Sequence, residues 1–61
     1  MTTRSKVLAY IRDSRHSPTV AEIAEHLDRS KSTIHAHLDA LERAGHIRRI
    51  SGRVYPTERV A

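Results

Sequence analysis

Apolar residues recur at helical spacing through most of the chain and switch to strand spacing near its end. Between Ser30 and Gly45, Ile34, Leu38 and Leu41 fall at i, i+4 and i+7, which places one apolar stripe toward a core and predicts a helix over about 31–44. Ser30 suits the N-cap because its hydroxyl can accept an orphan amide, and Gly45 suits the left-handed position beyond the last turn. At ~100° per residue, Ser32, His35, Ala36, Asp39 and Arg43 turn away from the stripe, with Thr33 and Ala40 on one flank. Upstream, Val20, Ile23, Ala24 and Leu27 form a second stripe, predicting a helix over about 20–27. Thr19 and Glu22 stand three apart, the spacing of a capping box in which hydroxyl and carboxylate each bind the other residue's amide. Val7, Leu8 and Ile11 predict a first helix over about 3–14, begun by Thr2 or Thr3 and broken before Pro18, since a proline pushes its predecessor out of the α region.

Only Asp28 and Arg29 separate Leu27 from the Ser30 cap, room for a tight turn between two helices and nothing more. Asp28 is among the few non-glycine residues that tolerate left-handed backbone, and Ala24 is small where the helices come closest. The pair therefore reads as a helix-turn-helix. After Gly45 the period changes: His46 to Ile50 and Arg53 to Tyr55 flank Ser51-Gly52, predicting a β-hairpin over about 47–55. A two-residue turn would pair Ile50 with Arg53, Arg49 with Val54 and Arg48 with Tyr55. That places Ile47, Val54 and the stem of Arg49 on the core side and Ile50 opposite. A three-residue loop with a bulge would reverse some of these assignments, so pattern alone leaves the register open. Pro56 is expected to end the ribbon and Thr57 to Ala61 to fray. The expected fold is mainly α with a small β-hairpin, a three-helix winged helix-turn-helix forming a single domain over 1–61.

Length and charge sharpen this picture. Sixty-one residues lie near the lower limit at which a core alone holds a chain folded, because only about 60% of the unfolded surface is buried at this size. No cysteine is present, so no disulfide or thiolate metal site contributes. No apolar run approaches the ~20 residues of a membrane span, and Met-Thr-Thr-Arg-Ser-Lys lacks a signal-peptide h-region, so a soluble, cytoplasmic chain is expected. Eleven Lys and Arg against seven Asp and Glu give +4, and the cations cluster: Arg48, Arg49 and Arg53 near the end, Lys31 at the head of the third helix, Arg4 and Lys6 at the start. A small basic domain so arranged suits a polyanion.

Three runs carry a resemblance to a known family. Pro18-Thr19-Val20-Ala21-Glu22-Ile23-Ala24, Ser32-Thr33-Ile34-His35-Ala36-His37-Leu38 and Leu41-Glu42-Arg43-Ala44-Gly45-His46-Ile47-Arg48-Arg49 together resemble the N-terminal DNA-binding domain of the LexA repressors, a likeness spanning Val7 to Arg49. The third helix carries its specific part, whereas Leu-Glu-x-x-Gly-x-Ile-x-Arg is general to winged helices. The resemblance implies a bacterial or phage transcriptional regulator on a palindromic operator, with the third helix in the major groove and the wing on the backbone. Carried over residue by residue, the family's base-facing positions fall on Ser30, Ser32, Thr33, His35 and Ala36. LexA proteins continue into a self-cleaving domain with a Ser/Lys dyad and a dimer interface, for which sixty-one residues leave no room. If these residues are the whole protein, binding without autocleavage is expected, with homodimerisation supplied from elsewhere; an excised domain of a longer protein fits the same residues equally well. The segment before Pro18 is shorter than the resemblance implies.

The residues divide the work of binding. Lys31, Arg48, Arg49 and Arg53 can neutralise phosphates, with helix-start amides near Thr19 and Ser30 adding phosphate contacts. Ser32 and Thr33 can reach base edges, the Thr33 methyl or Ala36 can meet a thymine methyl, and His35 can donate to guanine. None of these is a bidentate pair, so specificity per half-site is expected to be moderate. Against this stand plainer readings: arginines that only guard an edge strand, His37 and Tyr10 as packing residues, or a winged helix that docks a protein or binds nucleic acid without sequence preference. Metal and catalysis lack support. His35 and His37 point ~160–200° apart on a helix, no histidine pair has ligand spacing, and the chain offers neither a nucleophile motif nor a phosphate-cradling loop. No cofactor, small-molecule substrate or membrane is expected.

Overall fold

A computed structural model describes residues 2–57. Three helices, α1 (Thr3–Asp13), α2 (Val20–Leu27) and α3 (Lys31–Arg43), precede an antiparallel hairpin of β1 (Ile47–Ile50) and β2 (Arg53–Pro56). This is a winged helix-turn-helix.

Each helix begins on a hydroxyl cap. Thr2 accepts the Ser5 amide, and Ser30 accepts that of Thr33. Thr19 and Glu22 close the capping box, at 3.2 Å for the Glu22 amide on Thr19 Oγ1 and 2.9 Å for the Thr19 amide on Glu22 Oε1. α1 ends at Ser14, whose hydroxyl donates to the Tyr10 carbonyl at 2.8 Å. α2 ends with Asp28 in the left-handed region (φ 56°) and the Arg29 amide on the Ala24 carbonyl. α3 ends on Gly45 (φ 84°), beyond which the His46 amide reaches back to Leu41. Both ends thus satisfy carbonyls that a helix otherwise leaves unpaired.

The three stripes meet the hairpin in one core of Val7, Ile11, Ile23, Ala24, Ile34, Leu38, Leu41, Ile47 and Val54, with Leu8, Tyr10, Val20 and Leu27 packed against its edge. No buried polar or charged side chain interrupts it among the described residues. The hairpin takes the two-residue register: Ile50 pairs with Arg53, Arg49 with Val54, Arg48 with Tyr55 and Ile47 with Pro56. Ser51 (φ 52°) and Gly52 (φ 79°) both lie at positive φ, the geometry that matches the twist of two-residue hairpins.

β2 ends on Pro56 as expected, because a proline at a strand end gives up no ladder bond the sheet needs; one detail differs from the pattern reading. Thr57 does not fray: its amide donates to the His46 carbonyl at 3.0 Å and its hydroxyl to the Gly45 carbonyl at 2.6 Å, tying the ribbon back to the end of α3. The rest of the expected tail, 58–61, lies outside the described residues. The other edge of β2 is also covered, since the Val54 amide donates to the Pro18 carbonyl at 2.9 Å and Thr19 bridges Arg53. The extended piece before α2 thus acts as a short third strand beside the wing.

Candidate nucleic-acid interface

The outer face of α3 is built by its own apolar stripe. Because Ile34 and Leu38 are fully buried and Leu41 nearly so, the helix cannot rotate without exposing them. Ser32, His35 and Ala36 are therefore held outward, and all three are exposed. Among the described residues no hydrogen bond engages the side chains of Ser32 or His35. Ser30 and Thr33 are exposed too but bonded to each other: the Ser30 hydroxyl donates to Thr33 Oγ1 at 3.0 Å while accepting the Thr33 amide at 3.2 Å. Ser30 is thereby committed to the cap, and Thr33 keeps its own hydroxyl proton to donate outward. Lys31 is exposed at the head of the helix.

The basic residues of the wing divide between its two faces. Arg48 and Tyr55, like Ile50 and Arg53, are cross-strand partners on the outer side, with Ile50 and Tyr55 respectively 50% and 38% exposed. Arg53 Nη1 donates to the Ser17 carbonyl at 2.9 Å, so its guanidinium lies over the loop before α2. The bridge between Thr19 and Arg53 sets the start of α2 beside the wing, uniting two phosphate candidates 34 residues apart in sequence. Thr19 is half-buried, and its amide is taken by Glu22.

Arg49 stands apart from the other cations. It shares the core-facing side of the hairpin with Ile47 and Val54, and its Nη2 donates to Asp39 Oδ1 at 2.7 Å and to Glu42 Oε1 at 2.8 Å. Donating to Glu42, and next to Asp39, raises its pKa above the ordinary arginine value, so it stays charged at any working pH.

Some contacts escape sequence reasoning. Tyr10 stacks on His26 across α1 and α2, with ring centroids 4.1 Å apart and planes 17° off parallel, and Arg4 Nε donates to His37 Nδ1 at 3.4 Å. Both join elements whose relative placement no local spacing reveals. The Arg49 bridge did leave a signal: Asp39 and Glu42 at i, i+3 share one flank of α3, close in sequence to a basic strand.

Against this geometry, the family model described as the LexA DNA binding domain matches residues 4–54. The chain belongs to the LexA DNA-binding domain family. The match takes in α1 from Arg4 onward, α2, α3 and the wing as far as Val54, and it makes DNA the partner and regulation of transcription the setting. The LexA DNA-binding domain is a binding module rather than a catalytic one. No match to the chain was found among curated proteins or among solved structures. No helix among the described residues is long and apolar enough to cross a membrane.

Proposed function

We propose that the chain is a sequence-specific double-stranded DNA-binding regulator, a repressor that acts by occupying its site. α3 enters the major groove and the wing lies along the backbone or in the adjacent minor groove. The observation that carries this reading is the exposed face of Ser32, Thr33, His35 and Ala36, fixed outward by the burial of Ile34, Leu38 and Leu41. Short side chains there let the helix approach base edges closely. Thr33 and Ser32 supply hydroxyls, His35 a ring donor and Ala36 an apolar contact, while Ser30 contributes through the cap that orients Thr33.

Affinity comes from other residues. Lys31, Arg48 and Arg53 neutralise phosphate, and the amides of Lys31 and Ser32 at the open end of α3 add hydrogen bonds that the cap leaves free. Thr19 contributes at the edge of the site by holding the start of α2 beside Arg53. One module covers few base pairs, so the operator is a palindrome read by a homodimer.

Selection of preferred duplexes from a random pool tests this. An enriched sequence is expected. Arg48→Ala should weaken all duplexes alike and flatten the log-log salt dependence by ~0.9. His35→Ala should relax preference at one base position by ~1–3 kcal/mol. A pool without enrichment rejects sequence-specific recognition. The exposed Ile50 and Tyr55 favour a second reading, in which the domain is a protein-interaction module; it predicts that charge reversal at Arg48 and Arg53 leaves the main activity, partner docking, intact.

A further inference from the structure

The core-facing side of the hairpin carries a contact that DNA binding as described above does not use. Arg49 is one-quarter to one-third exposed at 28%, against 59% for Asp39 and 41% for Glu42, because its stem runs alongside Ile47 and Val54 before the guanidinium emerges over α3. A lone surface ion pair contributes little, since two long side chains must be immobilised to form it. Here the stem is already held by the core, and one nitrogen joins two carboxylates that share a helix flank. The contact also spans two elements with different tasks. α3 presents the base-facing side chains, and β1 is the strand whose far edge has no strand neighbour among the described residues, β2 being flanked by β1 and the Pro18–Thr19 segment.

We propose that Arg49 is a positioning residue, clasping the wing to the recognition helix through Asp39 and Glu42 and making no phosphate contact of its own. The clasp fixes the separation between the outer wing, with Arg48 and Arg53, and the exposed first turns of α3. Charge supports this assignment. Arg49 with its two carboxylates forms a cluster of net charge −1, so a phosphate approaching the same guanidinium meets two anions already at hydrogen-bond distance. The proposal rests on the DNA-binding reading for its consequence, but the clasp itself belongs to the free protein.

Native-state hydrogen exchange and DNA titrations decide it together. In the free protein, Arg49→Gln and the double variant Asp39→Asn/Glu42→Gln should each speed exchange of the hairpin ladder amides by about threefold or more, with α1 amides unchanged. The triple variant should be no worse than either, because all remove one shared network. Arg49→Lys should rescue part of the protection, as an ammonium keeps the charge without the planar fork. On a duplex of arbitrary sequence, Arg49→Gln should leave the salt slope at the wild-type value. Unchanged hairpin exchange in Arg49→Gln, or a slope flattened by ~0.9 as for a phosphate contact, overturns the proposal. If no duplex is bound at all, the DNA reading fails while the exchange data still settle the clasp.

Discussion

The wing turn offers a test in which two neighbouring substitutions must act with opposite sign. Ser51 and Gly52 both sit at positive φ, 52° and 79°, and a Cβ built on Gly52 meets nothing within 4 Å. Steric collision therefore contributes nothing at position 52, and only the backbone preference of the new residue matters. Alanine in left-handed backbone costs about 1–2 kcal/mol, less the few tenths it recovers by restricting the unfolded chain, leaving a net loss of about 1 kcal/mol. Ser51→Asn works the other way. Asparagine is several-fold enriched in this region, equivalent to a gain of about 0.5–1 kcal/mol. The wing shares the cooperative core through Ile47 and Val54, 1% and 0% exposed, so both effects appear in global unfolding. At ~4–8 °C per kcal/mol for a domain of this size, Gly52→Ala should lower Tm by about 4–8 °C and Ser51→Asn should raise it by about 2–8 °C. Gly45 shares the left-handed φ (84°) and the open surroundings, so Gly45→Ala should match Gly52→Ala closely. Thermal melts followed by far-UV circular dichroism read all three. A Gly52→Ala protein as stable as wild type, or a Ser51→Asn protein less stable, refutes the reasoning.

Further outcomes follow from the core and the caps. Leu38→Ala opens a cavity at a fully buried position and should cost about 2–5 kcal/mol. Against the ~3–9 kcal/mol total expected for a domain this small, urea titration should find the variant near or beyond its limit of stability. Thr19→Ala removes the acceptor of the Glu22 amide and should cost about 1 kcal/mol in the same titration, whereas Glu25→Ala, on the exposed side of α2, should stay within about 0.5 kcal/mol of wild type.

Much of the fold was legible because it is encoded locally. Thr19 and Glu22 announce a capping box by their spacing alone, and the stripes of α2 and α3 mark the inward faces before any packing is known. Asp28 and Ser51-Gly52 supply the positive φ that two tight turns require. What could not be read depends on how distant segments meet. The hairpin register hinged on a one-residue choice in its loop. Arg53 finds the Ser17 carbonyl 36 residues away, Arg4 finds His37 across 33, and Thr57 returns to Gly45 across 12. Of the candidate site, the outward face of α3 was legible from periodicity. The partners of Arg49 were legible only in part: Asp39 and Glu42 marked one flank of α3 by their i, i+3 spacing, but the register that turns Arg49 toward that flank was left open by the pattern.

The central claim is that α3 presents Ser32, Thr33, His35 and Ala36 to base pairs. Amide chemical-shift mapping of the 15N-labelled protein, titrated with its best duplex from the selection, tests it most directly. The largest shifts are expected over residues 30–36 and on the outer wing around Arg48 and Arg53, with α1 little changed. Shifts centred instead on the hollow between α1 and the end of α3, at Thr2, Arg4, Leu8, Ala40 and His46, would contradict it.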